Sequence, residues 1–151
     1  MPEVSIGAGT VRSVTDLERA AAAGAAFAVT PGSTAGLLEA GREASIPLLP
    51  GVATASELLL AASYGYRCFK FFPAATSGGP DAIRALSAPF PEARFCPTGG
   101  ITLESAPAYL KVAAVICVGA SWLAPAEALR TRDWSLIERL AREATQKLRR
   151  D

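Results

Sequence analysis

The 151-residue sequence predicts an α/β fold, a parallel sheet covered by helices, and three observations predict it. Short apolar or β-branched runs alternate with amphipathic helical stretches. The runs are continuously apolar rather than alternating, as expected of strands buried on both faces. Nearly every run ends in a small-residue or Pro/Gly turn, on the side where parallel folds assemble their sites.

In order, residues 4–8, 27–30, 47–49, 67–72, 94–96 and 115–118 read as strands. Helical patterns start near Val14, Ser33, Thr54, Asp81, Thr102 and Trp134, several behind a Ser, Thr or Asp able to cap a helix. This is βα repeated six times in one domain, residues 1–151. A closed barrel has eight strands and about 250 residues, so six units leave two unpaired edges.

Composition narrows the function. A net charge of +1 offers no basic face for nucleic acid, and Arg139, Arg142, Arg149 and Arg150 read as the solvated side of a terminal helix. No apolar run reaches the roughly 18 residues of a membrane span, and the first residues lack a signal-peptide pattern. A cytoplasmic protein without membrane contact is expected. Cys68, Cys96 and Cys117 sit in apolar runs and read as buried, reduced side chains rather than disulfides or metal ligands. The absence of histidine excludes a Ser-His-Asp triad and His-ligated zinc.

Lys70 stands out because it lies within the aromatic strand YRCFKFFPA, whereas Lys111 and Lys147 fall on helical stretches. Burying an unpaired ammonium ion is costly, so such a group lowers its pKa and becomes a neutral, nucleophilic amine. Strand alternation places Cys68, Lys70 and Phe72 on one face and Phe69 and Phe71 on the other. An inward-facing Lys70 near the strand's carboxyl end suits imine formation with a ketone or aldehyde. The competing reading is a lysine that snorkels to water or pairs with a carboxylate. PTGGI at 97–101 and VGASW at 118–122 follow the last two strands and suit one phosphate held by backbone N–H groups; either is equally a tight glycine turn.

Together GAGTV, TPGST, IPLLPGVATASEL, FKFFPA, ARFCPTGGI and VGASWL, in this order from about Ser5 onward, resemble the keto-deoxy-phosphogluconate aldolases. The resemblance implies a TIM (βα)8-barrel type of fold, of which about six βα units are present, and a homotrimer. It implies Schiff-base cleavage of 2-dehydro-3-deoxy-6-phosphogluconate to pyruvate and glyceraldehyde 3-phosphate, with no metal or organic cofactor. 4-Hydroxy-2-oxoglutarate and 2-dehydro-3-deoxy-6-phosphogalactonate are the alternative substrates.

By this resemblance Lys70 forms the imine, Thr10 helps hold the pyruvyl carboxylate, and Pro31 and Phe72 wall the pyruvyl pocket. The plainer readings are a hydroxyl at a helix start, a turn proline and a core aromatic. Thr98 matches a substrate-contacting threonine, and Gly99, Gly100, Ala120 and Ser121 match phosphate-binding positions. Two positions depart from the family: Ala120 stands where glycine is usual, which is harmless only if the backbone keeps negative φ, and Ala75 where glutamate is usual.

The larger departure is the family's first two βα units, with their acid/base glutamate and carboxylate-binding arginine, which have no counterpart here. Glu3 precedes the first strand at the wrong end, and Glu57, Glu104 and Glu138 fall on helical patterns, so none replaces the base. Impaired turnover is therefore expected. A reading begun at an internal start codon is the favoured origin, with an in-frame upstream sequence encoding the two units; a natively short protein is the other. The competing function is a noncatalytic phosphosugar binder or a subunit whose sheet is completed by a partner.

Overall fold

A computed structural model of the chain describes residues 4–148, which leaves Glu3, Arg149 and Arg150 outside the described residues. Thirteen elements follow one another: β1 (Gly7–Ala8), α1 (Val14–Ala22), β2 (Phe27–Val29), α2 (Ala35–Glu43), β3 (Leu48–Leu49), β4 (Gly51–Val52), α3 (Ala55–Ser63), β5 (Cys68–Phe71), α4 (Gly79–Ser87), β6 (Arg94–Pro97), α5 (Ala106–Leu110), α6 (Ala126–Thr131) and α7 (Trp134–Lys147). All ladders are parallel, in the orders β1-β2-β3 and β4-β5-β6.

The two sheets join at Pro50. Proline has no N–H to give a ladder, so the expected strand at 47–49 becomes two short ones around it. The Leu49 carbonyl still accepts from Thr30 N (3.2 Å), and the Pro50 carbonyl from Lys70 N (2.9 Å). Residues 48–52 thus have β2 on one side and β5 on the other, and the parallel segments follow chain order around an arc.

The expected strand at 115–118 is only partly formed. Val115 bridges Phe95 and Gly119 bridges Thr98, so four steps on one segment oppose three on the other. The extra residue breaks the ladder as a bulge does. Helix α6 is an element the hydropathy pattern did not announce.

Several helices begin as their sequences imply. Ser13 accepts from Asp16 N, Thr34 from Leu37 N and Asp133 from Leu136 N, and Thr54 forms a reciprocal capping box with Glu57. Such caps satisfy N–H groups that the first helical turn leaves without partners.

The core lies on the helix side of the arc. Around β4–β6 it comprises Leu38, Leu58, Phe69, Phe71, Ile83, Phe95 and Val115 among others, with Phe71 and Phe95 edge to face at 6.5 Å. A smaller cluster around β1–β3 contains Val11, Leu17, Ala20, Ala28, Leu37 and Leu48. Tyr66 packs against both and donates its hydroxyl to the Leu38 carbonyl at 2.9 Å.

Burial on both strand faces does not hold. Phe69, Phe71 and Phe95 are essentially inaccessible on the helix side, while Cys68 is exposed and Lys70 and Cys96 are half-buried on the concave side. The cysteine expectation fails with it: Cys68 and Cys117 are exposed and Cys96 is only partly covered. A complete barrel covers its inner face with the strands opposite, and the described residues supply only an arc. Among them no helix is long and apolar enough to cross a membrane.

Candidate active site

Lys70 is the third residue of β5, two positions before the turn beginning at Phe72. Its backbone is in register with Gly51 on one side and Cys96 on the other. The ammonium nitrogen lies 4.3 Å from the centre of the Phe72 ring, on the concave face. Partial burial lowers its pKa from the ordinary 10.5, while negative charge at Cys96 works in the opposite direction. The four ion pairs among the described residues join Arg84 to Asp81, Arg130 to Glu127, Arg142 to Glu138 and Lys147 to Glu143, and all are exposed. Lys70 therefore has an aromatic face and a thiol beside it, and no carboxylate pairs with it.

Beyond Phe72 the carboxyl ends of β5 and β6 and the 118–122 loop enclose a cleft of about 470 Å³. Phe72, Thr98, Gly99, Gly100, Ala120 and Ser121 all line it. The loops are tied together by their backbones: Thr98 N donates to Phe71 O (2.9 Å), Ala74 N to Thr98 O (2.9 Å), Ala75 N to Gly99 O (3.0 Å) and Gly119 N to Pro97 O (2.8 Å). Among the described residues the N–H groups of Gly99, Gly100, Ala120 and Ser121 donate to no protein acceptor. Backbone donors left open around a concavity can hold an anion, as a nest does.

Gly99 and Gly100 adopt φ of +100° and +72°, where L side chains are strained. The only non-glycine residue with positive φ among the described residues is Arg132, so Ala120 sits where a methyl group is tolerated. The Ala75 methyl lies close to Gly100, since a Cβ built on that glycine would come within 2.7 Å of it.

Thr10 and Pro31 lie farther round the arc. Thr10, exposed, follows β1 and lines a separate groove of about 660 Å³ with Asp16 and Arg19. It is not a helix cap, because Ser13 takes that role. Pro31 follows β2 and lines neither cavity, but its turn is tightly held. Thr30, fully buried, accepts from Gly51 N at 2.8 Å and shares a hydrogen bond with Ser33. A Cβ on Gly51 would fall 2.3 Å from the Pro31 carbonyl carbon, so only glycine permits this approach. Thr30 and Gly51 were not singled out from sequence, although TPGST and the Pro50-Gly51 pair carry their signal.

The other carboxylates are occupied or remote. Glu57 accepts from Ala53 N, Thr54 N and the Thr54 hydroxyl at the start of α3. The Thr102 side chain, chiefly, holds the exposed Glu104 carboxyl below its usual range, and Glu138 pairs with Arg142. These groups are tied to helix starts and surfaces, as the sequence implied.

A family model described as KDPG and KHG aldolase matches residues 1–140. The chain belongs to this family. It is 51% identical over 146 residues to a 2-dehydro-3-deoxy-phosphogluconate aldolase of Pseudomonas aeruginosa, covering 97% of this chain and 66% of that protein. It is 49% identical to the KHG/KDPG aldolase of Escherichia coli strain K12, over 97% of this chain and 68% of that protein. The chain thus spans about two thirds of the length of these relatives.

Its fold superposes with a TM-score of 0.89 on the KDPG aldolase of Legionella pneumophila with pyruvate captured as a covalent carbinolamine, at 49% identity, covering 92% of this chain and 68% of that one. The aldolase of Zymomonas mobilis ZM4 with 3-phosphoglycerate gives 0.90 at 44% identity, over 95% and 68%. The arc is accordingly part of a TIM-type (βα) barrel with about six units present.

Proposed function

We propose that this chain is a class I, Schiff-base aldolase acting on 2-dehydro-3-deoxy-6-phosphogluconate. The observation that carries the reading is the placement of Lys70 against Phe72, which also lines the cleft of open backbone N–H groups. The Lys70 amine attacks the C2 ketone to give a carbinolamine, and loss of water yields an iminium ion. That cation draws the electron pair of the C3–C4 bond as it breaks, releasing glyceraldehyde 3-phosphate and leaving an enamine. Protonation at C3 and hydrolysis free pyruvate and the amine.

The remaining roles are those the family resemblance implies. The N–H groups of Gly99, Gly100, Ala120 and Ser121, with the Ser121 hydroxyl, hold the phosphate, and Thr98 contacts substrate between that nest and Lys70. Phe72 and Pro31 wall the pyruvyl end, and Thr10 assists its carboxylate. Among the described residues no carboxylate pairs with Lys70 to serve the proton transfers at the carbinolamine and during cleavage, and general catalysis is worth about 10²–10⁴-fold per group. The relatives' carbinolamine and 3-phosphoglycerate complexes support both halves of the proposal. A phosphosugar substrate fits the nest better than unphosphorylated 4-hydroxy-2-oxoglutarate; the galactonate-derived phosphosugar uses the same groups. A homotrimer in the cytoplasm, without a cofactor, belongs to the same reading.

Incubation with pyruvate and borohydride followed by peptide mass analysis tests it. The pyruvyl increment is expected on Lys70, and a folded protein without an adduct there defeats the imine assignment. The second reading, a subunit completed by a partner chain, is favoured by the groove along β1 and α1 and by exposed Val4 and Ile6. It predicts phosphosugar binding with no adduct.

A further inference from the structure

The proposed reaction uses the Lys70 amine and the phosphate nest, and leaves two thiols on the same face without a role. Cys96 in β6 is in direct register with Lys70. Beside it runs the bulged segment, fixed by Ile116 N donating to Phe95 O (3.0 Å) and Gly119 N to Pro97 O (2.8 Å). Phe95 and Val115 pair on the buried helix side. The additional residue after Val115 brings Cys117 across beside Cys96, close enough for its thiol to stabilise the Cys96 thiolate. Neighbouring strands lie about 4.8 Å apart, inside the roughly 4.4–6.8 Å Cα separation that a disulfide spans. Cys117 is exposed and Cys96 half-buried, so a small oxidant reaches both.

We propose that Cys96 and Cys117 form an oxidisable dithiol site whose reactant is a hydroperoxide. The Cys96 thiolate attacks the terminal oxygen of the hydroperoxide; the O–O bond breaks, the alcohol or water leaves with a proton, and Cys96 becomes a sulfenic acid. Cys117 then attacks that sulfur, the S–S bond forms, and the sulfenic oxygen departs as water with the Cys117 proton. Two electrons pass from the sulfurs to the peroxide.

The order of roles follows the surroundings. The Cys117 thiol, opposed by burial and assisted by the Thr98 hydroxyl and the Lys70 charge, lowers the Cys96 thiol to about 7. An attacking thiol with a pKa near ambient pH combines thiolate fraction with nucleophilicity. Cys68, on the same face, is in register with Arg94 rather than with a thiol and serves as the internal control.

The test treats the reduced chain with hydrogen peroxide, blocks remaining thiols with N-ethylmaleimide, and digests with trypsin without reductant. Cleavage after Arg94, Lys111 and Arg130 puts the two cysteines on separate peptides, 95–111 and 112–130, and leaves Cys68 on 68–70. Expected is a linked pair of the two longer peptides, two hydrogens lighter than their sum, in monomeric chains, reversed by dithiothreitol, with Cys68 alkylated. Cys117→Ser, checked for folding by circular dichroism, should instead leave a dimedone-trappable sulfenic acid on Cys96. Full alkylation of both thiols after peroxide, faster oxidation of Cys68, or a link found only between chains would overturn the proposal. The outcome is read on sulfur alone, so it stands apart from the pyruvate-trapping result at Lys70.

Discussion

At Lys70 two opposed influences set the charge of the proposed nucleophile: burial lowers its pKa and the Cys96 thiolate raises it. The free amine attacks a carbonyl, so the rate of borohydride-trapped pyruvate adduct should rise with pH around a midpoint below 10.5. Cys96→Ala removes the negative charge and should move that midpoint to lower pH; a shift to higher pH contradicts this account. At the nest, Gly100→Ala forces a side chain into φ +72° and toward Ala75. Left-handed backbone costs an L residue about 1–2 kcal/mol, and the loop moves to relieve it. Titration with 3-phosphoglycerate should show roughly tenfold weaker binding, the equivalent of about 1.4 kcal/mol, with Lys70 still trapping unphosphorylated pyruvate. Equal affinity would count against the nest.

Among the elements, the β2 turn depends on one buried hydroxyl. Thr30→Val keeps the shape but leaves Gly51 N without its acceptor, at a cost of about 1–3 kcal/mol. Thermal unfolding should fall by roughly 2–4 °C per kcal/mol for a chain of this size, and a melting temperature within a degree of the parent would remove Thr30 from this role. The order of strands and helices was legible because apolar runs, caps and glycine turns act locally: Ser13, Thr34 and Thr54 sit where their helices start. The Pro50 break and the bulge after Val115 were not, because each depends on which carbonyl a neighbouring strand supplies. Lys70 and the two glycine loops were legible as candidates from aromatic context and turns, and Phe72 and Thr98 only through the family resemblance. Thr30 was not, since hydropathy does not distinguish a buried hydroxyl from one at the surface.

For the whole molecule, the misjudged quantity was the environment of the concave face. A strand's sequence does not record what stands across from it, and Cys68 and Cys117 are exposed because the arc leaves that side uncovered. Catalysis should reflect the same geometry. In a coupled pyruvate assay this chain should turn over at least 10²-fold more slowly than one extended at its amino end by two βα units bearing a glutamate and an arginine at the second strand; matching rates would contradict the assigned loss of proton transfer.

Pro50 has a further consequence, for cooperativity. The two hydrophobic clusters meet at residues 48–52, at Tyr66 and along α2, and the one around β1–β3 is much the smaller. Segments with little buried surface open at lower free energy than the global transition. Amide hydrogen exchange should therefore divide into two protection classes at Pro50, with β1 and β2 exchanging first. 3-Phosphoglycerate should slow exchange in β5, β6 and their loops while leaving β1 and β2 nearly unchanged. The amine and the anion nest would then survive intact on a half of the molecule that stays closed while the other breathes.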